Sequence, residues 1–366
     1  MDKVYISKEM CSGCKACIDI CPTKAITMCK DEEGFEYPQI NQEKCINCGK
    51  CSRLCAFKRK NINEAQKPIS IIGVKAKNEK ERISSRSGGI FSVLANYIIE
   101  QSGIVYGCVL SKDLEVHHAR ATTQEQLKEF KGSKYVKSNL KNVYSEAKND
   151  LQEGKIVLFS GTGCEIAGLY ATLKNVDTSK LYTCDLICHG VPTPLIYEEY
   201  IKFMEKKENQ KITHVDFRDK SFGWSTHKET LSFEDGKKLT ANYYTELFYS
   251  HHILRPSCYN CQFSNMDRVS DITIGDFWGI QKENPEFYDE KGISLALVNT
   301  GKGQEILEHI KEKLDWIEVK SQHYMQPNLQ HPSKKPENRN EFWEDYKQKG
   351  FEYIMEKYAY FEGDEN

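Results

Sequence analysis

Apolar residues recur along most of the chain in short runs that follow two different spacings. Seven runs predict strands at 71–77, 104–110, 155–160, 181–187, 212–219, 271–276 and 293–299. Between several of these runs apolar residues recur every three or four positions, which is the spacing of one helix face. The clearest example is Ile90, Val93, Leu94, Tyr97 and Ile98. The alternation predicts a large, mixed α/β domain with a central sheet.

The same spacing predicts helices near 140–151 and 195–206. A hairpin is predicted around Asp235–Gly236, a turn-forming pair between two runs of strand character. The stretch 339–358 predicts a capping helix, which we expect to pack against the domain rather than to take part in chemistry.

The first sixty residues carry a different signal, a dense and regular set of cysteines. Eight of the 15 cysteines form two runs with the spacing C-x2-C-x2-C-x3-C. The first run holds Cys11, Cys14, Cys17 and Cys21, and the second holds Cys45, Cys48, Cys51 and Cys55. A loop of this spacing lets three thiolates wrap three corners of one [4Fe-4S] cube, while the fourth cysteine ligates the other cluster.

We therefore predict two [4Fe-4S] clusters in a small amino-terminal ferredoxin-like α+β domain. The first cluster would take Cys11, Cys14, Cys17 and Cys55, and the second Cys45, Cys48, Cys51 and Cys21. Structural zinc is the alternative, but zinc does not require two adjacent runs of four with identical spacing. Between the runs, GFEYPQIN fits a short hairpin. Cys29 lies outside both runs and is predicted to be a small buried residue.

Composition narrows the class of protein further. The 366 residues carry a formal net charge of −2, so no strong basic field exists to hold a nucleic acid. The mean hydropathy is −0.62 and no apolar run reaches 18 residues, which predicts no membrane span. The amino end lacks the apolar stretch of a secretory signal, so we expect a cytoplasmic protein whose thiols stay reduced.

The length allows two or three domains. We predict a ferredoxin-type domain at 1–60, a linker at 61–71, a large domain at 72–335 and a helical extension at 336–366. The linker prediction rests on the polar and basic segment FKRKNINEAQKP, which lies between the last cysteine of the second run and the first predicted strand.

Two glycine-containing loops of the large domain are candidate cradles for a phosphate or a cofactor. Ser87-Gly88-Gly89 opens a helix, whose first N–H groups and dipole favour an anion. Ser160-Gly161-Thr162-Gly163 joins a strand to a helix, but it matches neither the P-loop nor the G-x-G-x-x-G pattern. Each loop alone is more often an ordinary glycine turn.

A second set of thiols lies in the large domain. Cys258 and Cys261 form a C-x2-C pair, and Cys164 and Cys188 follow predicted strands at the sheet edge where ligands collect. These four thiols are candidates for a third site, either Fe–S or zinc, and the alternative is that the last two are buried apolar cysteines. Cys184 competes with Cys188 as a ligand, and Cys108 is predicted to lie in the core.

Several motifs together resemble the family of coenzyme F420 hydrogenase/dehydrogenase beta subunits, in the form that carries a two-cluster ferredoxin at its amino end. The resemblance runs from about residue 72 to residue 328. It rests on RSGGIFSVLANYI, KGSKYVKS, SGTGCEIAGL, DLICHGVP, FRDK, LRPSCYNCQF, SDITIGDFWGI and GISLALVNT.

This resemblance implies FAD and a third [4Fe-4S] cluster in the large domain. It favours Fe–S ligation for Cys164, Cys188, Cys258 and Cys261. It also implies flavin contacts at Arg86, Ser87, Gly88, Gly89, Lys134, Tyr135, Gly161 and Thr162. The family commonly has GTPC where this chain has GTGC. His189 and Asp276 are predicted to line the site as catalytic residues, with Arg218, Asp219, Lys220 and Trp278 as further polar candidates.

The leading hypothesis is an iron–sulfur flavoprotein oxidoreductase. Clusters pass single electrons, and a flavin converts these to the pairs that an organic small-molecule substrate takes. A redox partner protein, such as ferredoxin or an oxidoreductase subunit, would exchange electrons at the amino-terminal domain. The alternative is a non-catalytic electron-transfer subunit or adaptor for a partner enzyme, and surface-polysaccharide assembly is a context suggested by association.

Overall fold

The computed structural model describes residues 4–5, 7–58 and 66–360. The first part of the predicted linker, residues 61–65, lies outside the described residues, as do residues 361–366 of the predicted extension. In the amino-terminal part, β1 (Ile26–Lys30) and β2 (Glu36–Ile40) form an antiparallel hairpin, and short helices α1 (Ala16–Asp19) and α2 (Lys50–Arg53) follow the two cysteine loops. We call residues 4–58 the head.

The remainder is built on an eight-stranded mixed sheet in the order β13-β3-β12-β11-β7-β6-β4-β5. Its strands are β3 (Ser70–Ala76), β4 (Ile104–Leu110), β5 (Val116–Ala121), β6 (Val157–Thr162), β7 (Leu181–Leu186), β11 (Ile272–Asp276), β12 (Ser294–Val298) and β13 (Leu314–Glu318). The four central strands β4, β6, β7 and β11 run parallel, and the outer strands pair antiparallel. Loops that follow the parallel strands therefore meet at one edge of the sheet.

Helices cover both the sheet and a smaller second sheet. They are α3 (Glu79–Ser84), α4 (Ile90–Glu100), α5 (Val143–Gln152), α6 (Gly163–Thr172), α7 (Pro194–Glu208), α8 (Tyr243–Tyr249), α9 (Ile280–Glu283), α10 (Gly301–Ile310) and α11 (Arg339–Tyr358). The second sheet has the order β10-β9-β8, with strands β8 (Ile212–Asp216), β9 (Glu229–Phe233) and β10 (Lys238–Ala241). Its apolar face shares one core with α7, α8 and α11.

The mixed α/β class with a central sheet and a small α+β head is confirmed. All seven predicted strands are present, and the predicted hairpin around Asp235–Gly236 joins β9 to β10. The carboxyl-terminal helical segment has the predicted bounds, but it is kinked at Gly350, whose φ of 81° is not helical. In the large domain, β5, β13, α3, α8, α9 and α10 were not predicted.

The prediction for Cys29 is wrong, because its side chain is exposed on β1. A two-stranded hairpin buries one face only, and Cys29 points away from it with its thiol 2.8 Å from the Gln39 amide oxygen. Within the described ranges, no helix is long and apolar enough to cross a membrane.

Candidate functional site

The head brings the first three cysteines of the first run together with the last cysteine of the second. Burial raises the pKa of the Cys14 thiol to about 11, and the neighbouring Cys11 and Cys55 thiols add to the rise. Burial also raises the pKa of Cys17 well above its usual value, with contributions from Cys14, Cys11 and Cys55 and a smaller one from Cys51 of the second run. These four thiols are thus electrostatic neighbours, which is consistent with the crossed ligand pattern.

The second set has the reciprocal arrangement. Burial raises the pKa of Cys51, and the thiols of Cys21 and Cys48 lie close enough to raise it further. Cys45 lies on the same loop as Cys48. In the part of the chain that the structure describes, no three His, Cys, Asp or Glu side chains stand close enough to hold a single metal ion.

A third set of thiols lies where β6, β7 and a turn at Pro256–Asn260 converge. Burial raises the pKa of Cys188 well above its usual value, and Cys258, Cys164 and Cys261 raise it further in that order. These four thiols line a cavity of about 30 Å³ together with Ser12 and Phe57 of the head. The head thus contributes directly to the wall of this cavity.

Cys184 does not join this set. Its side chain is fully buried within β7, packed in the core between the sheet and its helices. Burial and the neighbouring Asp185 and Asp271 carboxylates raise its pKa. Cys184 and Cys188 therefore have different surroundings, although they are only four positions apart in the sequence.

A cavity of about 630 Å³ adjoins the third thiol set at the carboxyl ends of the parallel strands. Most of the cofactor and catalytic candidates line it, namely Arg86, Ser87, Gly89, Lys134, Tyr135, Gly161, Thr162, His189 and Asp276. Cys188 and His189 line both this cavity and the smaller one, so they form a common wall. The volume falls in the range of small-molecule and cofactor pockets.

Gly88 lies behind the cavity wall. Its N–H donates to the Ser294 hydroxyl over 2.9 Å, and its carbonyl accepts from the Ala76 N–H over 2.7 Å. A Cβ at this position would stand 2.3 Å from the Val74 carbonyl oxygen. Gly88 therefore allows the loop to pack on β3, while Gly89 opens α4 at the cavity wall with a φ of 88°.

Lys134 lies in the wall with its ammonium turned toward its own loop. It donates to the carbonyl of Glu129 over 2.9 Å and to that of Lys131 over 2.6 Å. Burial lowers the pKa of Lys134 to about 8. The side chain thus holds the loop and places beside the cavity an ammonium group that loses its proton just above neutral pH.

A compact polar cluster closes another side of the cavity. The Arg218 guanidinium pairs with the Asp276 carboxylate, which also accepts from the Trp224 indole N–H over 2.8 Å. Arg86 donates to the Arg218 carbonyl over 2.8 Å. Burial, followed by the charge of Arg218, lowers the pKa of Arg86 to about 10. Asp276 is therefore committed to two partners and serves to position the arginine.

His189 belongs to an aromatic wall. Its Nε2 atom lies 2.6 Å from Nε2 of His251, and its Nδ1 atom lies 3.2 Å from the Asn328 amide oxygen. The ring also lies edge-on to Phe248 and Tyr249. Burial, with a smaller contribution from His251, lowers the pKa of His189 to about 4, so that the ring is neutral at pH 7.

The loop at Gly161 and Thr162 is held by the start of α6. The Thr162 N–H donates to the Glu165 carboxylate over 2.9 Å, which completes a capping box. The same carboxylate pairs with Lys137. Charge from Lys137 and His118 outweighs the effect of burial and lowers the pKa of Glu165 to about 2.

Sequence reasoning missed several residues of the site. His227, Tyr249 and Cys108 line the cavity, although Cys108 was expected in the core, and Arg255 lines the smaller cavity. Arg255 lies three positions before the C-x2-C pair, and this proximity is the one signal that could have pointed to it. The other three lie on segments without any spacing pattern for a ligand.

The two crossed thiol sets of the head place the chain among iron–sulfur proteins of the ferredoxin type, and residues 10–58 match the family described as 4Fe-4S dicluster domain. Residues 154–322 match the family described as the carboxyl terminus of the beta subunit of coenzyme F420 hydrogenase/dehydrogenase. The chain thus joins a [4Fe-4S] dicluster domain at its amino end to a region that matches the carboxyl-terminal family of these hydrogenase/dehydrogenase beta subunits.

Three curated proteins are similar to parts of the chain. The F subunit of F420H2 dehydrogenase from Methanosarcina mazei is 24% identical over 212 residues, which cover 54% of this chain and 60% of that protein. An uncharacterised ferredoxin of Methanocaldococcus jannaschii is 36% identical over 53 residues, 14% of this chain and 68% of that protein. A polyferredoxin-like protein of the same organism is 38% identical over 58 residues, and the chain spans only 34% of its length.

Among solved structures, the chain is similar to one chain of the F420-reducing [NiFe] hydrogenase complex from Methanosarcina barkeri, determined with xenon. The sequence identity is 19% and the TM-score is 0.48. The similarity covers 69% of this chain and 83% of that chain.

Proposed function

We propose that the protein is an iron–sulfur flavoprotein oxidoreductase. In this proposal electrons pass between the two clusters of the head, a third [4Fe-4S] cluster and FAD, which reduces or oxidises an organic substrate. The observation that carries the proposal is the continuity of the sites. Ser12 and Phe57 of the head and the thiols of the third set line one cavity, and Cys188 and His189 line both this cavity and the larger one.

The third thiol set fits a [4Fe-4S] cluster in its chemistry. Four cysteine side chains from three loops lie near one another, and all-cysteine ligation is the usual way in which proteins hold such clusters. Cys164, Cys188, Cys258 and Cys261 would be the ligands. Cys184 lies in the core and is not among the proposed ligands.

The larger cavity fits an anionic dinucleotide such as FAD. Its wall holds the amino end of the eleven-residue helix α4, where free N–H groups favour phosphate. It also holds Arg86, whose Nε atom is buried without a hydrogen-bond partner among the described residues. Lys134 adds a second positive charge. Together with Ser87, Gly89, Tyr135, Gly161 and Thr162, these residues would hold the cofactor.

A bound flavin would supply the conversion between single electrons and electron pairs. The residues of this chain would orient and shield it. The neutral ring of His189 is fixed by Asn328 and His251. It would line the side of the cavity that adjoins the third thiol set. Asp276 would hold Arg218 in place over the Trp278 ring, where the guanidinium carbon lies 5.0 Å from the ring centre.

A partner protein is part of the proposal. The relative in Methanosarcina mazei is a subunit of a dehydrogenase by its name, which supports a redox partner for this chain as well. This name also favours the second candidate function, a non-catalytic electron-transfer subunit that hands electrons to a partner enzyme. The two functions differ in whether the chain itself holds a flavin.

Rapid mixing with a reduced small ferredoxin tests the proposal. The absorbance of the clusters should bleach first and that of the flavin second. In Cys188→Ala the first phase should persist, and the second should slow by at least about tenfold because the cluster nearest to the flavin is lost. Flavin reduction at an unchanged rate in this variant would contradict the proposed route, and a chain without flavin would favour the relay.

A further inference from the structure

Arg255 is a buried cation without a carboxylate partner. Its side chain is 1% exposed, and its guanidinium carbon lies 4.3 Å from the ring centre of Tyr37 and 5.2 Å from that of Phe35. No aspartate or glutamate side chain among the described residues forms an ion pair with it. Burying an unpaired charge is costly, so a compensating negative charge is expected close by.

The other buried arginines follow the usual rule. Each of them pairs with a carboxylate, in the pairs Arg82–Asp289, Arg218–Asp276, Arg268–Asp185 and Arg339–Glu33. Arg255 is the exception among the buried arginines that the structure describes. Arg255 lies between the first thiol set of the head and the third thiol set.

On one side Arg255 holds the first cysteine loop of the head. Its Nε atom donates to the Cys11 carbonyl over 2.7 Å, and its Nη2 atom lies 3.8 Å from the Cys11 sulfur. The same Nη2 atom donates to the Glu36 carbonyl over 2.9 Å. Gly13 makes room for the guanidinium, because a Cβ there would stand 2.9 Å from its central carbon.

On the other side Arg255 belongs to the third thiol set. Its carbonyl accepts the Cys258 N–H over 2.8 Å, and Arg255 lines the same cavity as the four cysteines of this set. When the thiols of both sets bind iron they are deprotonated, and each site becomes a local concentration of negative charge. Arg255 then carries a buried positive charge beside both sites.

We propose that Arg255 is the shared counter-ion of the first head cluster and the third cluster. The inference rests on the proposed function, since it requires both clusters. A fixed positive charge stabilises the reduced, more negative state of each cluster and so raises both reduction potentials. Arg255 is thus a positioning and tuning residue that links the head to the large domain.

Redox titration followed by EPR tests this inference on the anaerobically purified full chain. We expect Arg255→Gln to lower the midpoint potentials of the first head cluster and the third cluster. The potential of the head cluster at Cys45, Cys48 and Cys51 should stay unchanged. Arg255→Lys, which keeps the charge, should restore most of the shift. Arg339→Gln is the matched control, because Arg339 also bridges the head and the large domain but is neutralised by Glu33.

The outcomes separate the inference from the proposed function. Wild-type protein without a third cluster would refute the proposed function. If all three clusters are present and each has the same potential in wild type and in Arg255→Gln, the inference alone is overturned. An equal shift in Arg339→Gln would also overturn it, because the effect would then be structural. If Arg255→Gln loses iron, full iron in Arg255→Lys supports the counter-ion, and equal loss in both contradicts it.

Discussion

The side chains of Cys184 and Cys188 have different surroundings, so we expect their alanine variants to differ in iron content. Cys188 has three thiol neighbours, whereas Cys184 packs in the core of the sheet. Cys188→Ala should therefore lose about four irons per chain, the content of one cluster. Cys184→Ala should keep the wild-type iron content. Iron analysis of both variants decides this, and equal iron loss from the two would show that the third site is assigned to the wrong thiols.

Lys134 predicts a pH dependence of cofactor binding. Because burial lowers its pKa to about 8, the ammonium is present below pH 8 and lost above it. The affinity for the anionic flavin should fall as the pH rises from 7 to 9. Lys134→Met should bind FAD more weakly at pH 7, because a positive charge beside the cavity and its hold on the loop are both lost, and should show no such fall. Flavin fluorescence on dilution measures this, and an unchanged pH profile in the variant would contradict the assignment.

The two cysteine runs of the head could be predicted from the sequence because ligand spacing is a local property. Cys164 and Cys188 carry no such spacing and were proposed from their places after predicted strands, so the third set stays a prediction. The sequence could not identify Arg255 or His251, whose roles come from contacts with residues far away in the chain. Arg255 meets Cys11 across 244 positions, and His251 meets His189 across 62. No spacing within one segment encodes such contacts.

At the level of elements, the packing of the loop before α4 on β3 depends on Gly88. A methyl group there would collide with the Val74 carbonyl and the Ser294 N–H. Gly88→Ala should lower the free energy of unfolding by about 1–3 kcal/mol or more, as overpacking does, and should weaken flavin binding. Gly301→Ala at the start of α10 is the control, because no atom lies within 4 Å of its Cβ position. Urea unfolding measures both, and equal effects would refute the packing argument.

Helix α11 is predicted to stabilise the fold without touching the cofactors. Phe342 is fully buried there, with its ring 5.1 Å from that of His252 and 4.9 Å from that of Tyr358. Phe342→Ala should lower the free energy of unfolding by about 3–5 kcal/mol. The folded fraction should keep its iron and flavin per chain. A variant that is stable but loses flavin would instead give α11 a part in the site.

Strands in the centre of the sheet were predicted, whereas strands at its edges and a short helix were missed. β4 was predicted at its observed bounds because a central strand with both faces covered is continuously apolar. β5 and β13 lie at the edges of the sheet, and their exposed positions carry polar residues that weaken the strand pattern. The seven-residue helix α8 is too short for its periodicity to be clear.

For the whole molecule, the important feature is the contact between the head and the edge of the sheet. Salt bridges and hydrogen bonds join them at several points, including Lys15 to Asn139 and Arg339 to Glu33. Strand order and the docking of one domain on another depend on long-range pairing, so the sequence predicted the parts but not their arrangement. The domain boundaries at 60, 71 and 335 stay predictions.

The cofactor content of the anaerobically purified protein tests the central claim most directly. Three four-iron clusters and one flavin predict about twelve irons and one FAD per chain, measured by iron analysis, by flavin release and by EPR of the reduced protein. The matched measurement on Cys188→Ala should give about eight irons. About eight irons and no flavin in the wild-type protein would contradict the account.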